Sequence, residues 1–255
     1  MLPARLRTIT KLMSASAPFI VLAGIVISQS HEYKKAAQKL NRADYLAQEQ
    51  AQARQIDWQR SSPNLGFSNL KANWSYLDYV QYFGDRNARE TIGYKLVPEY
   101  FAAIAGIDPR FVEAHLRLSI GNSMYAGDPE TTIALMEQVL AVVDPESNNA
   151  SYLWTSKGLD ELLFIGDKEA AIESYEMAAK WANLTQDERS NRTAVEELET
   201  IFFDSTELDL KQAQVRAWSS VLVHIRDSQR QREILDKIID LKAEIAALEQ
   251  KNIVQ

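Results

Sequence analysis

Three histidines, at positions 31, 115 and 224, are the first residues to weigh for chemistry. A pair of ligating histidines at helical spacing is one sign of a metal site, and the three are too scattered to make one. Each therefore reads as structural. The chain has no cysteine, which excludes thiol nucleophiles, thiolate metal sites and disulfides. No HExxH, GxSxG or GxxxxGKS/T pattern occurs. Acidic groups such as Asp160-Glu161, Glu196-Glu197 and Glu199 read as solvated helix faces rather than acid–base pairs. No catalytic residue, metal or cofactor is expected, and the chain is not expected to be an enzyme.

That leaves binding. The stretch NWSYLDYVQYFGD, residues 73–85, gathers one Trp, three Tyr and one Phe before a Gly-Asp pair. On a helical wheel Tyr76, Leu77, Tyr79, Val80 and Phe83 form one apolar arc, which reads as core. Trp74, Ser75, Asp78, Gln81 and Tyr82 form the other. Aromatics with polar tips beside an acid and an amide suit a recognition face. Asn122 and Tyr125 occupy corresponding ground further along. The candidate partner-binding set is therefore Trp74, Asp78, Gln81, Tyr82, Asn122 and Tyr125.

The elements that position these residues are helical. Ala, Leu, Glu, Gln and Lys dominate, and alternating Val/Ile/Thr runs are nearly absent. Only 9 Gly and 7 Pro are present, too few for a phosphate-cradling loop system. The net charge of −7 is uneven. Residues 1–60 carry 9 basic and 4 acidic groups, and residues 61–255 carry 19 and 31. The acidic body repels a phosphate backbone, so nucleic acid is not expected as a partner.

Residues 1–11 form a basic segment, with Arg5, Arg7 and Lys11. An uncharged stretch follows from Leu12 to Ser30, with FIVLAGIVI at 19–27. Two readings fit: a signal peptide cut near Ser28-Gln29-Ser30, or an uncleaved signal-anchor spanning a bilayer as a helix. The anchor is preferred over both the cleaved form and a buried soluble helix. The positive-inside rule then places the N-terminus in the cytoplasm and the rest in a periplasm or thylakoid lumen. Residues 31–67 read as a polar helical stalk with a thin stripe (Tyr33, Ala37, Leu40, Ala43, Ala47). A linker, SSPNLGF, closes it.

From 68 to 225 the chain reads as helical hairpins. Gly-Asp recurs at 84–85, 127–128 and 166–167. GDPETTIALMEQVLAVV and GDKEAAIESYEMAAKWA align at an offset of 39 residues. Asp108-Pro109 and Asp144-Pro145 read as caps before a first helical turn. Residues 226–255 read as a charged helix. Its seam of Ile234, Ile238, Leu241, Ile245 and Leu248 suits either capping of the last repeat or self-association through 234–248 as a short coiled coil.

These residues resemble the tetratricopeptide repeat family. Trp74, Leu77 and Tyr82 before Gly84 look like the first half of a unit. Trp154 and Gly158 before Gly166 look like another. Ala170, Tyr175 and Ala178 look like the second half, and Pro145 follows the middle unit. The block from Asn64 to Asp85 also resembles membrane-anchored helical-repeat proteins of bacteria, cyanobacteria among them. The resemblance implies an all-α fold of stacked antiparallel hairpins, an α-solenoid, after a transmembrane helix and stalk. It carries no activity; the anchor, the hairpin repeats and the lack of a catalytic constellation together lead to the expectation of a scaffold that binds a protein or peptide and helps assemble an envelope or membrane complex. A module for a small or lipidic ligand is the alternative.

Overall fold

The computed structural model describes residues 40–185 and 205–254, plus the isolated positions 26 and 192. The expected membrane segment 12–30, apart from Val26, and residues 186–204 of the expected hairpin region, apart from Arg192, lie outside the described residues. Among the described residues every regular element is helical and no strand occurs. None of these helices is long and apolar enough to cross a membrane. The chain divides into two compact units, Met1–Asp44 and Tyr45–Gln255.

Helix α1 (Arg42–Ser61) opens on a reciprocal cap. Asn41 Oδ1 accepts from the Ala43 and Asp44 amides, and Asp44 Oδ2 accepts from the Asn41 amide. The helix ends before Pro63. Its residues from Tyr45 onward belong to the second unit and are not a free stalk. Tyr45, Glu49, Ile56 and Gln59 are buried, whereas Ala43 and Ala47 of the expected stripe are exposed. The reason is chemical. This helix docks largely through carboxylate and amide groups, so its packing face does not look apolar.

Helix α2 (Ser68–Gly84) carries the aromatic stretch and packs on α4 (Val97–Ile107). The seven-residue α3 (Arg86–Ile92) and the four-residue α5 (Val112–His115) flank α4. Asp85 caps α3 by accepting from the Ala88 amide at 3.1 Å. Tyr79, Tyr82, Tyr100, Phe101 and Ile104 form the centre of the main core. Their rings meet at 4.7–6.2 Å, the range of direct aromatic contact.

The next two hairpins share one turn. In the first, a π-helical segment (Ser119–Ala126) leads through Gly127-Asp128 into α6 (Pro129–Leu140). In the second, α7 (Ser151–Asp160) runs into a π-helical segment (Glu161–Ile165), then through Gly166-Asp167 into α8 (Lys168–Thr185). Each Gly is left-handed, at φ +84° and +90°. In each turn one carbonyl, of Asn122 or Glu161, accepts both the Gly and the Asp amide. Each Asp then caps the following helix, accepting from Thr131 or Ala170. The 39-residue repeat is thus a structural repeat at its turns.

The third Gly-Asp pair differs. Gly84 is not left-handed, and α2 simply ends there. Of the Asp-Pro pairs, only Asp128-Pro129 starts a helix. Asp108 and Asp144 instead form short turns, accepting from the amides of Arg110 and Glu146. The helices that follow begin at Val112 and Ser151.

The C-terminal pair is α9 (Glu207–His224) and α10 (Ser228–Val254). Thr206 and Asp209 form a capping box at the start of α9. Ile234, Ile238 and Leu241 are buried with Trp218, Val221 and Ile225, so this half of the heptad seam packs within the chain. The pair also closes over the repeat turns. Arg230 reaches the Ser123 and Met124 carbonyls, each at 3.4 Å. A Cβ on Gly166 would meet the Gln214 amide nitrogen at 2.7 Å.

Candidate functional site

The six candidate residues do not form one face. Tyr82 is buried beneath α1, where its hydroxyl donates to Glu49 Oε1 at 2.9 Å and accepts from the Leu96 amide at 3.1 Å. The Arg89 guanidinium lies 3.6 Å from the Tyr82 ring centroid and 3.4 Å from Glu49 Oε1. Burial raises the Tyr82 phenol well above its ordinary pKa. Asp78 is half-buried and accepts from Gln55 Nε2 and Gln59 Nε2, each at 2.7 Å. Gln59 Oε1 in turn accepts from Ser75 Oγ at 2.8 Å. Asp78 and Tyr82 therefore clamp α1 to α2, and Tyr82, 1% exposed, is closed to a partner. α2 is covered on two faces, one by α1 and one by α4. The wheel had turned Leu77 and Val80 inward, and both are exposed.

Asn122 is fully buried and also structural. Its Nδ2 donates to the Asp128 carbonyl at 2.8 Å and to Thr132 Oγ1 at 3.0 Å. Gln81 is exposed beside a small polar recess with Gln48, Gln52 and Asp85. Tyr125 and Trp74 remain accessible, on separate surfaces.

Tyr125 stands where two clefts meet. One is apolar, ≈ 380 Å³, between the two repeat hairpins and α9, lined by Ile120, Met124, Leu159, Leu163, Phe164 and Val221. The other is charged, ≈ 230 Å³, with Arg86, Glu90, Tyr94, Arg226 and Asp227 on its walls. Tyr125 and His224 line both. The Tyr125 ring is fixed by Phe83 and Tyr94, each at 5.0 Å between centroids. Glu90 is drawn below its ordinary pKa by Arg86, with Arg226 adding to the effect.

Trp74 belongs to an apolar surface on α1, α2 and their connection. Trp58, Leu65, Phe67, Leu70 and Trp74 are 67%, 80%, 63%, 63% and 61% exposed. They border a groove of ≈ 540 Å³. Sequence reasoning singled out Trp74 but missed the other four: Leu65 and Phe67 lie in the loop SSPNLGF, which read as a mere linker, and Trp58 and Leu70 flank it. The signal was available: four large apolar residues beside a turn, with no second apolar face to bury them.

Two acidic residues expected on solvated faces are buried. Asp160 accepts from Ser119 Oγ at 2.6 Å and Ser123 Oγ at 2.9 Å, with no cation bonded to it. Burial pushes its carboxyl up to about 6. Glu161 pairs with the buried Lys157 and accepts from Ser174 Oγ at 2.6 Å. Adjacent residues on a regular helix point about 100° apart. Both are buried because α7 is covered on more than one side, by α6, α8 and the first π segment. His115 is buried as expected of a structural histidine, and burial lowers its pKa to about 4. Among the described residues, no group of three or more His, Asp or Glu is arranged to hold a metal ion.

No family model, curated protein or solved structure matches this chain.

Proposed function

We propose that this chain is a membrane-anchored, extracytoplasmic helical-repeat scaffold, and that its hairpin cleft docks a segment of a partner protein. One observation carries the docking site: the apolar cleft of ≈ 380 Å³ opens at Tyr125 and His224 onto the charged one. Such a volume accepts one or two large side chains, and the charged end suits the polar residues beside them. The repeated Gly-Asp turns support the solenoid reading, because each hairpin is built to stack on its neighbour. The uncharged stretch 12–30 after a basic start supports the anchor. The direct contact of the interior aromatic rings lends no support to a small ligand held among them.

Photocrosslinking in native membranes tests the docking site, with p-benzoylphenylalanine in place of Tyr125. The expected result is a discrete adduct with one protein, lost on adding Ile120→Glu, a half-exposed change at the cleft wall. An adduct pattern unchanged by Ile120→Glu, or no adduct, rejects the cleft.

A further inference from the structure

The Trp58–Trp74 surface lies away from the cleft and has a chemistry of its own. The twenty residues from Trp58 to Leu77 contain no Asp or Glu, in a chain that has 35. Their only charges are Lys71 and Arg60, and Arg60 lies 3.6 Å from Glu99 of α4. Lys71 bonds the Ser62 carbonyl and Asn64 Oδ1, holding the α1–α2 connection in place. The connection closes with the Phe67 amide donating to the Asn64 carbonyl at 2.7 Å. Its two central residues are Leu65 and Gly66, at φ +48° and +85°.

Leu65 is the telling residue. A left-handed Leu costs about 1–2 kcal/mol, where Asn or Gly would sit with little strain and dissolve better. Here that strained position holds a side chain 80% exposed. Nothing in the fold is gained by an apolar group there. Leu70, Trp74 and Leu77 extend the same exposed surface along α2, at helical spacing.

We propose that this hairpin tip is a wedge that rests in the interfacial layer of a lipid bilayer. Tryptophan and phenylalanine favour that layer, and leucine buries into the acyl boundary. The lack of acids along the stretch lowers the repulsion that the rest of the acidic chain would meet at anionic head groups. Chain length permits the contact. Residues 31–41 separate the expected membrane segment from α1, and eleven residues span at most about 40 Å. The twenty residues of α1 are about 30 Å long. The tip can therefore return to the surface from which the chain emerges. The proposal rests on the membrane attachment proposed above.

The absence of cysteine makes a clean test. The full chain carries a single nitroxide at Asn73→Cys, an exposed site on α2 beside Leu70 and Leu77, in vesicles of mixed zwitterionic and anionic phospholipid. Relaxation by oxygen and by a neutral nickel chelate is compared with a label at Gln138→Cys, an exposed site on α6. The expected result is that oxygen dominates at position 73 and the chelate at position 138. Leu65→Asp with Phe67→Asp, both at exposed positions, should return position 73 to the chelate-dominated state. A label at 73 open to the chelate overturns the wedge while leaving the anchor standing. A label shielded from both reagents also overturns it, in favour of a protein covering the tip. A chain that does not float with the vesicles overturns both the wedge and the anchor.

Discussion

Asp160→Asn should reverse its effect on stability between acid and neutral pH. The wild-type carboxyl sits in a closed hydroxyl chain. Asn122 Nδ2 donates to Thr132 Oγ1, and Thr132 donates to the Asp128 carbonyl. Ser123 Oγ lies 2.8 Å from Thr132 Oγ1 and 2.9 Å from Asp160 Oδ2. One hydroxyl proton cannot serve both contacts. With Asp160 protonated the chain closes: Asp160 donates to Ser123, and Ser123 donates to Thr132. With Asp160 ionised, Ser123 must turn to it and the link to Thr132 loses its proton. The carboxyl is raised from 3.8 to about 6, mainly by burial, with Glu161 adding repulsion. Protonation thus favours the fold: the contribution is complete below pH 3.8 and is lost as pH rises through 6.

A shift of that size corresponds to about 3 kcal/mol of destabilisation at neutral pH. Asparagine cannot ionise, and its amide donates to Ser123 as the protonated acid does. Its second amide proton finds no acceptor, at a cost of about 1 kcal/mol. The variant should therefore be about 2 kcal/mol more stable at pH 7.5 and about 1 kcal/mol less stable at pH 3.5. Urea unfolding followed by tryptophan fluorescence at both pH values measures the difference. His115, lowered to about 4, loses stability in the same window as pH falls. It is present in both proteins and cancels in the comparison. A difference with the same sign and size at both pH values would refute the buried-carboxylate reasoning.

Gly127→Ala should destabilise by more than about 1 kcal/mol, because φ is +84° and the new methyl would lie 2.3 Å from the Arg230 guanidinium. Gly84→Ala, in the same dipeptide, is ordinary backbone with open space and should be neutral or raise the melting temperature. Thermal unfolding of the two variants side by side checks the contrast. Glu49→Ala leaves the Arg89 guanidinium buried without its carboxylate and should cost about 3 kcal/mol. Denaturant midpoints test it, and a loss below ~0.5 kcal/mol, typical of surface changes, would return α1 to the status of a stalk.

The helical class, the breaks at Pro63 and Gly166 and the 39-residue repeat were legible because they depend on local chemistry. Propensity, capping and left-handed glycine act over a few residues, and the sequence states them directly. The core role of Tyr79 and Phe83 was legible for the same reason. Trp74 lies on an open face.

Tertiary structure alone decided the rest. Tyr82, Asp78 and Asn122 looked like recognition residues because their types suit a surface. They became internal clamps once α1 docked through Glu49, Gln55 and Gln59, a helix whose polarity concealed its contact. Gly84 lacks the left-handed turn of Gly127 and Gly166, because a dipeptide permits that backbone and its neighbours select it. Asp160 and Glu161 were both drawn inside, one against the first π segment and the other against α8. Local sequence set which helices form and where they turn. Which faces stay open depended on partners whose contacts are hydrogen bonds, and hydrogen-bonding faces leave no apolar period to read.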